Sequence, residues 1–198
     1  MSPPPWVLGG RALVAVYGGA QPGALMLVRY AYSPVGPYDE LLWVALRPPS
    51  PAGVRPRVTD IVVSTQESVT WGRRNWGIPK TKAHFEWQGA PGKEQVRVTQ
   101  AGQLVAHLAV RGGGPRLPVT TAVVPLAWRT LAQPALHGGE DWLLTPVSAG
   151  GSVRQARLSV ISGDRFHPGL LERRPRVTLD VPAFRLVFPT PARQRGPV

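Results

Sequence analysis

Glycine and proline cut this chain into apolar runs too short for anything but strands. With 22 glycines and 23 prolines among 198 residues, β-patterned segments recur at Arg11–Tyr17, Ala24–Tyr32, Leu41–Leu46, Val58–Val63, Glu94–Gln100, Gln103–Arg111, Leu117–Val124, Asp141–Val147, Val153–Ile161, Arg176–Asp180 and Ala183–Phe188. Ala101-Gly102 reads as the turn of a hairpin. Leu126–Ala132 fits a helix or a strand equally, and Phe166–Arg174 allows one helical turn. Residues 1–10 and 189–198 read as irregular tails, and Ser148–Ser152 as a linker. No alternation of strands with helices occurs, so the expectation is a mostly β (α+β) chain, an antiparallel sheet or barrel with few short helices, spanning 1–198 as a single domain.

A composition of 43% hydrophobic and 17% charged residues belongs to a globular protein with one buried core. No apolar run approaches the roughly 18 residues of a membrane span, and Met-Ser-Pro-Pro-Pro-Trp lacks a signal peptide's pattern, which makes the expected location cytoplasmic, with no membrane partner. The absence of cysteine removes disulfides, thiolate nucleophiles and zinc–thiolate sites. A net charge of +12 raises the question of nucleic acid. Against it, no basic run exceeds two residues, at Arg73-Arg74 and Arg173-Arg174, and the excess stems equally from having only 11 acids. An arginine-rich nucleic-acid binder is therefore the third-ranked reading. Phosphate loops, dinucleotide fingerprints and the Gly-x-Ser-x-Gly elbow are missing, so no cofactor is expected. His84, His107, His137 and His167 are scattered and none pairs at metal-ligand spacing, so no metal is expected either.

Within this background Trp71–Trp87 stands out. Only Lys80, Lys82 and Lys93 are lysines among 23 basic residues, and lysine, unlike arginine, becomes a nucleophilic amine when its proton is removed. Ser64-Thr-Gln-Glu67 has capping-box spacing and predicts a helix over about 65–75, with Gly77 ending it in a left-handed conformation and Pro79 preventing its resumption. A strand beginning at Lys80 would place Lys80, Lys82, His84 and Glu86 on one face. Glu40, at the entrance of an earlier strand, is either solvated or aimed into a cavity. Trp71-Gly-Arg-Arg-Asn-Trp76 could stack on bases, but its glycine spacing also suits packing around a turn.

Two of these segments, Ser33-Pro-Val-Gly-Pro-Tyr38-Asp39-Glu40 and Gly72-Arg-Arg-Asn-Trp76-Gly-Ile-Pro79-Lys80, resemble in order and approximate spacing the signatures of the acetoacetate decarboxylase superfamily. The likeness covers residues 33–87. It implies a cone-shaped antiparallel barrel with an additional sheet and a homo-oligomer. It also implies a Schiff-base lysine at Lys80 with Glu40 as the catalytic carboxylate. Arg73, which could attract a keto acid's carboxylate or form a structural ion pair, is a substrate-binding candidate together with Tyr38, Trp76 and Lys82. The implied activity is decarboxylation or related imine and enamine lyase chemistry on a small keto acid. The chain departs from the family's decarboxylases in three ways. Thr81 stands where a second lysine would follow the first, Ala24-Leu-Met-Leu-Val28 has no second acid, and the chain is shorter before residue 33. A non-catalytic ligand-binding barrel of the same fold is the alternative.

Overall fold

The computed structural model describes residues 1–136 and 140–196. Its strands are β1 (Trp6–Tyr17), β2 (Gly23–Tyr32), β3 (Tyr38–Ala45), β4 (Arg57–Val63), β5 (Thr81–Lys82), β6 (His84–Ala90), β7 (Lys93–Gln100), β8 (Gln103–Gly112) and β9 (Leu117–Thr120). They continue with β10 (Thr130–Pro134), β11 (Asp141–Pro146), β12 (Ser148–Ser162), β13 (Val177–Phe188) and β14 (Ala192–Arg195). One helix, α1 (Gln66–Trp76), lies between β4 and β5. The large sheet runs β5-β4-β3-β2-β1-β13-β12-β8-β7-β6, with β9 added on β12; β10-β11-β14 form a small second sheet. The outermost members of the large sheet, β5 and β6, are consecutive in the chain and separated by Ala83 alone. The sheet therefore curls until its edges meet. Gln100 fastens that seam by donating to Thr81 Oγ1 and to the Lys82 carbonyl. Every pairing in the large sheet is antiparallel except β4 with β5. The expected mostly β barrel with an additional sheet is the observed architecture.

Side-chain parity sorts the interior into two cores. On β2, Leu25 and Leu27 enter one core while Ala24, Val28 and Tyr30 enter the other. On β3, Leu41 and Trp43 oppose Tyr38, Leu42 and Val44 in the same way. A strand buried on both faces needs apolar residues at every position, which is why these runs are continuous instead of alternating. Glu40 shares parity with Tyr38 and Leu42, so the pleat commits its carboxylate to the second core.

Several sequence expectations are corrected. The tails are not irregular throughout. β1 begins at Trp6 because Trp6 is buried, its ring meeting Trp76 edge-on at 4.9 Å and its Nε1–H bonding the Ser2 carbonyl. Residues 192–195 pair with β11. Ser148–Ser152 is not a linker but the start of β12, where Gly151 lets the strand approach β13 so closely that a Cβ would lie 2.3 Å from the Ala183 carbonyl oxygen. The two last predicted runs form one strand, β13; Pro182, which has no N–H to give a ladder, sits at a register shift. Leu126–Ala132 divides into a 3-10 turn, Leu126–Arg129, and the start of β10. Phe166–Arg174 forms turns without a helix, and residues 121–123 form a 3-10 turn where a strand was expected. His137 lies outside the described residues.

Candidate active site

Helix α1 and the turn after it set the lysine. The N-cap is Thr65, one residue later than the spacing suggested, and its side chain accepts the Ser68 N–H. Ser64 is unavailable because its oxygen accepts the Asp39 N–H at 2.8 Å, tying the helix start to β3. At the other end Gly77 adopts φ 64°, and the N–H groups of Gly77 and Ile78 return to the Arg73 and Gly72 carbonyls. Pro79 then sits inside a tight turn in which the Lys80 N–H bonds the Ile78 carbonyl at 2.8 Å. That turn breaks the predicted alternation. Lys80 points inward and is buried, whereas β5 starts only at Thr81, and Lys82, His84 and Glu86 are exposed. The two lysines do not face the same way.

Lys80 Nζ donates to Glu40 Oε2 at 2.7 Å, to Ser68 Oγ at 3.1 Å and to the Tyr38 hydroxyl at 3.5 Å, and it lies 5.0 Å from the Tyr38 ring centroid. Tyr30 Oη donates to the second Glu40 oxygen at 3.2 Å. The lysine and glutamate side chains are each only 6% exposed. Gly72 makes room for the lysine stem; a Cβ there would stand 2.6 Å from Lys80 Cδ. Lys80, Glu40, Tyr38 and Tyr30 line one end of a cavity of about 290 Å³ whose remaining wall, apart from Thr121 and Arg129, is apolar.

Burial works against the Lys80 ammonium, but the Glu40 carboxylate outweighs it with help from Tyr38, and the net direction is upward from the usual lysine value. Tyr38 is pushed up to about 12 by burial, with Lys80 pulling the other way. Tyr30 is raised as well, by burial and then by the Glu40 charge. The resting site is thus an ammonium–carboxylate pair framed by two neutral phenols.

The sequence candidates divide between cavity and surroundings. Lys80, Glu40, Tyr38 and Trp76 line the cavity; Arg73 and Lys82 do not. Arg73 Nη1 instead reaches the Lys80 carbonyl oxygen at 3.4 Å, bracing the turn. Trp76 packs between Trp6 and Phe188 and donates Nε1–H to the Pro189 carbonyl, while Arg74 covers Trp71, so this aromatic cluster is spent on packing. Thr81 faces the seam, away from the cavity. Ala24, Met26 and Val28 line the wall, so the stretch where a second acid was sought is apolar surface. Tyr30 and Ser68 lie outside the two motifs. Both had a signal: the β2–β3 hairpin sets Tyr30 directly across from Tyr38, and Ser68, Gly72 and Trp76 repeat at four-residue spacing on one helix face.

No protein-family model and no curated protein sequence matches the chain. Solved structures are similar to it. Acetoacetate decarboxylase from Legionella pneumophila superposes with a TM-score of 0.71 at 11% identity, over 98% of this chain and 88% of that one. The enduracididine biosynthesis enzyme MppR, complexed with the condensation product of pyruvate and imidazole 4-carboxaldehyde, gives 0.64 at 13% identity, over 98% and 90%. An acetoacetate decarboxylase-like enzyme from Sphingomonas wittichii RW1 gives 0.63 at 11%, over 100% and 95%. At such identities the likeness defines the fold, which is acetoacetate decarboxylase-like.

Proposed function

We propose that this protein is a Schiff-base enzyme acting on a keto acid through Lys80, with Glu40 moving protons. The observation that carries the reading is the buried Lys80–Glu40 pair, 2.7 Å apart, closing one end of an otherwise apolar cavity. It is supported by the fold shared with acetoacetate decarboxylase and by the condensation product that MppR binds. In the proposed sequence Lys80 passes one proton to Glu40 and its neutral amine attacks the carbonyl carbon. The carbinolamine oxygen takes one proton from nitrogen and one from Glu40 and leaves as water, so that an iminium ion and the Glu40 carboxylate result. That iminium accepts the electron pair released when a β-carboxylate leaves as carbon dioxide, or when an adjacent C–H bond gives its proton to Glu40; either step yields an enamine.

Incubation with a panel of keto acids and borohydride, followed by peptide mass mapping, tests this. The expected product is a secondary amine on Lys80, absent from Lys80→Ala. A panel that leaves Lys80 unmodified overturns the proposal. The alternative of a non-catalytic binding barrel draws on the upward-shifted lysine, which rests as a cation, and it predicts ligand binding that borohydride does not fix.

A further inference from the structure

The cavity has a second end, and its chemistry differs from the first. Inward-facing Glu40, Leu42, Val44 and, just past β3, Leu46 all line it. At about 3.3 Å per residue, Leu46 lies roughly 20 Å along the strand from Glu40. Antiparallel pairing of Ala45 with Arg57 sets Pro56, another lining residue, at that same distant end. β10 follows the same axis. Its Pro134 carbonyl lies beside Gly77, near the lysine, and the Ala132 N–H bonds the Pro56 carbonyl at 2.9 Å, which carries Arg129, three residues further back, to the end away from Lys80. Burial follows this axis as well. Lys80, Glu40, Tyr38 and Trp76 are at most 5% exposed, whereas Trp128 at the Arg129 end is 72% exposed. The mouth is therefore at Arg129.

Arg129 Nη1 bonds the Val147 carbonyl at 3.2 Å, but its Nε is buried and finds no acceptor among the described residues. It makes no ion pair among them either. The Nε has almost no accessible surface, so a ligand in the cavity meets the guanidinium through its terminal N–H groups, which carry a full charge unpaired among the described residues and suit a carboxylate. Between Arg129 and Lys80 the wall is hydrocarbon, including Met26, Val28, Leu42 and Val58. A short β-keto acid bound at Lys80 would leave that apolar wall uncovered.

We propose that the ligand is an elongated amphipathic carbonyl compound, with its aldehyde or ketone at Lys80, its apolar body along β2 and β3, and a distal carboxylate on Arg129. The assignment of the carbonyl end rests on the Schiff-base reading; the apolar body and the anion rest on the cavity alone. A carboxylate so far from the carbonyl is not a leaving group. On such a ligand the iminium draws the electron pair of the adjacent C–H bond into an enamine while Glu40 takes the proton.

Trp6, Trp76 and Trp128 line the cavity, so intrinsic fluorescence reports occupancy. The probes are aldehyde-terminated carboxylic acids with short, intermediate and long polymethylene spacers, beside uncharged aldehydes of matching length. Wild-type affinity should rise with spacer length, and the long acid should bind about tenfold tighter than its uncharged counterpart. Arg129→Gln should erase that preference, Arg129→Lys should retain most of it, and Lys80→Ala should keep it while losing the borohydride adduct. Wild-type protein that prefers the shortest probe, or that ignores the carboxylate, overturns the inference without recourse to any variant. If the preferences hold but no adduct forms on wild type, the Schiff-base reading falls and the assigned subsite stands; an adduct formed without either preference does the reverse.

Discussion

Lys80 is held as a cation chiefly by Glu40, with Tyr38 assisting. Burial alone would lower its pKa, and the Glu40 carboxylate reverses that direction. The free amine is then the minor form at neutral pH, and trapping should accelerate steadily as pH rises through the ordinary lysine value of 10.5 and beyond it. Glu40→Gln removes the charge that raises the pKa and leaves the desolvation that lowers it. The alkaline midpoint of borohydride trapping should therefore move to lower pH in that variant, read from adduct yield across a pH series with a simple aldehyde as probe. A midpoint that stays in place or moves upward would show that Glu40 does not set the charge on Lys80. The Tyr38 hydroxyl, pushed up to about 12, stays a neutral phenol accepting from Lys80 through the ordinary lysine value.

Between helix and strand, position 77 does more than end α1. Its φ of 64° is left-handed, and a Cβ there would stand 2.5 Å from the Pro134 carbonyl oxygen, a backbone atom that cannot swing aside. Gly77→Ala should cost about 1–2 kcal/mol for the backbone conformation alone. The contact adds to that, so the melting temperature should fall and trapping at Lys80 should slow as the turn shifts; unchanged thermal unfolding would show that the turn is not under this constraint. The glycine and proline of this turn were legible in the sequence because each acts on the backbone directly. The apolar runs of β2 and β3 were legible as strands, but their burial on both faces depends on the second core and was not. The direction of Lys80 was not legible. The alternation rule assumes a regular strand from residue 80, whereas Pro79 closes a tight turn that rotates Lys80 inward and leaves Lys82 outside. Arg73 belongs to the motif by sequence, but the helix turns it onto the Lys80 backbone. Arg129 gives no signal because its segment carries no periodic pattern; docking of the following strand on Pro56 brings it to the cavity. The β14 pairing was hidden for the same reason, since a polar, proline-bounded tail gives no signal of a neighbour supplied by β11.

Across the whole molecule, the two cores are not independent bodies. β2 and β3 contribute to both, with Leu25, Leu27, Leu41 and Trp43 on one face and Val28, Tyr30, Leu42 and Val44 on the other. Melting either core would strip these strands of half their buried surface and of the pairing that aligns Glu40 with Val28 and Val63. The seam at Ala83 reinforces this coupling, because β5 belongs with the lysine turn and β6 begins the far edge of the barrel. We propose on these grounds that residues 1–198 unfold as one cooperative domain, the lysine site melting with the barrel. Tryptophans report both sides, Trp43 from the first core and Trp6 and Trp76 from the second. Thermal unfolding followed by tryptophan fluorescence, by far-ultraviolet circular dichroism and by calorimetry should then give coincident midpoints, with calorimetric and van't Hoff enthalpies equal. Two resolved transitions, or loss of trapping well below the circular dichroism midpoint, would instead assign the cavity half its own stability and separate the site from the barrel that frames it.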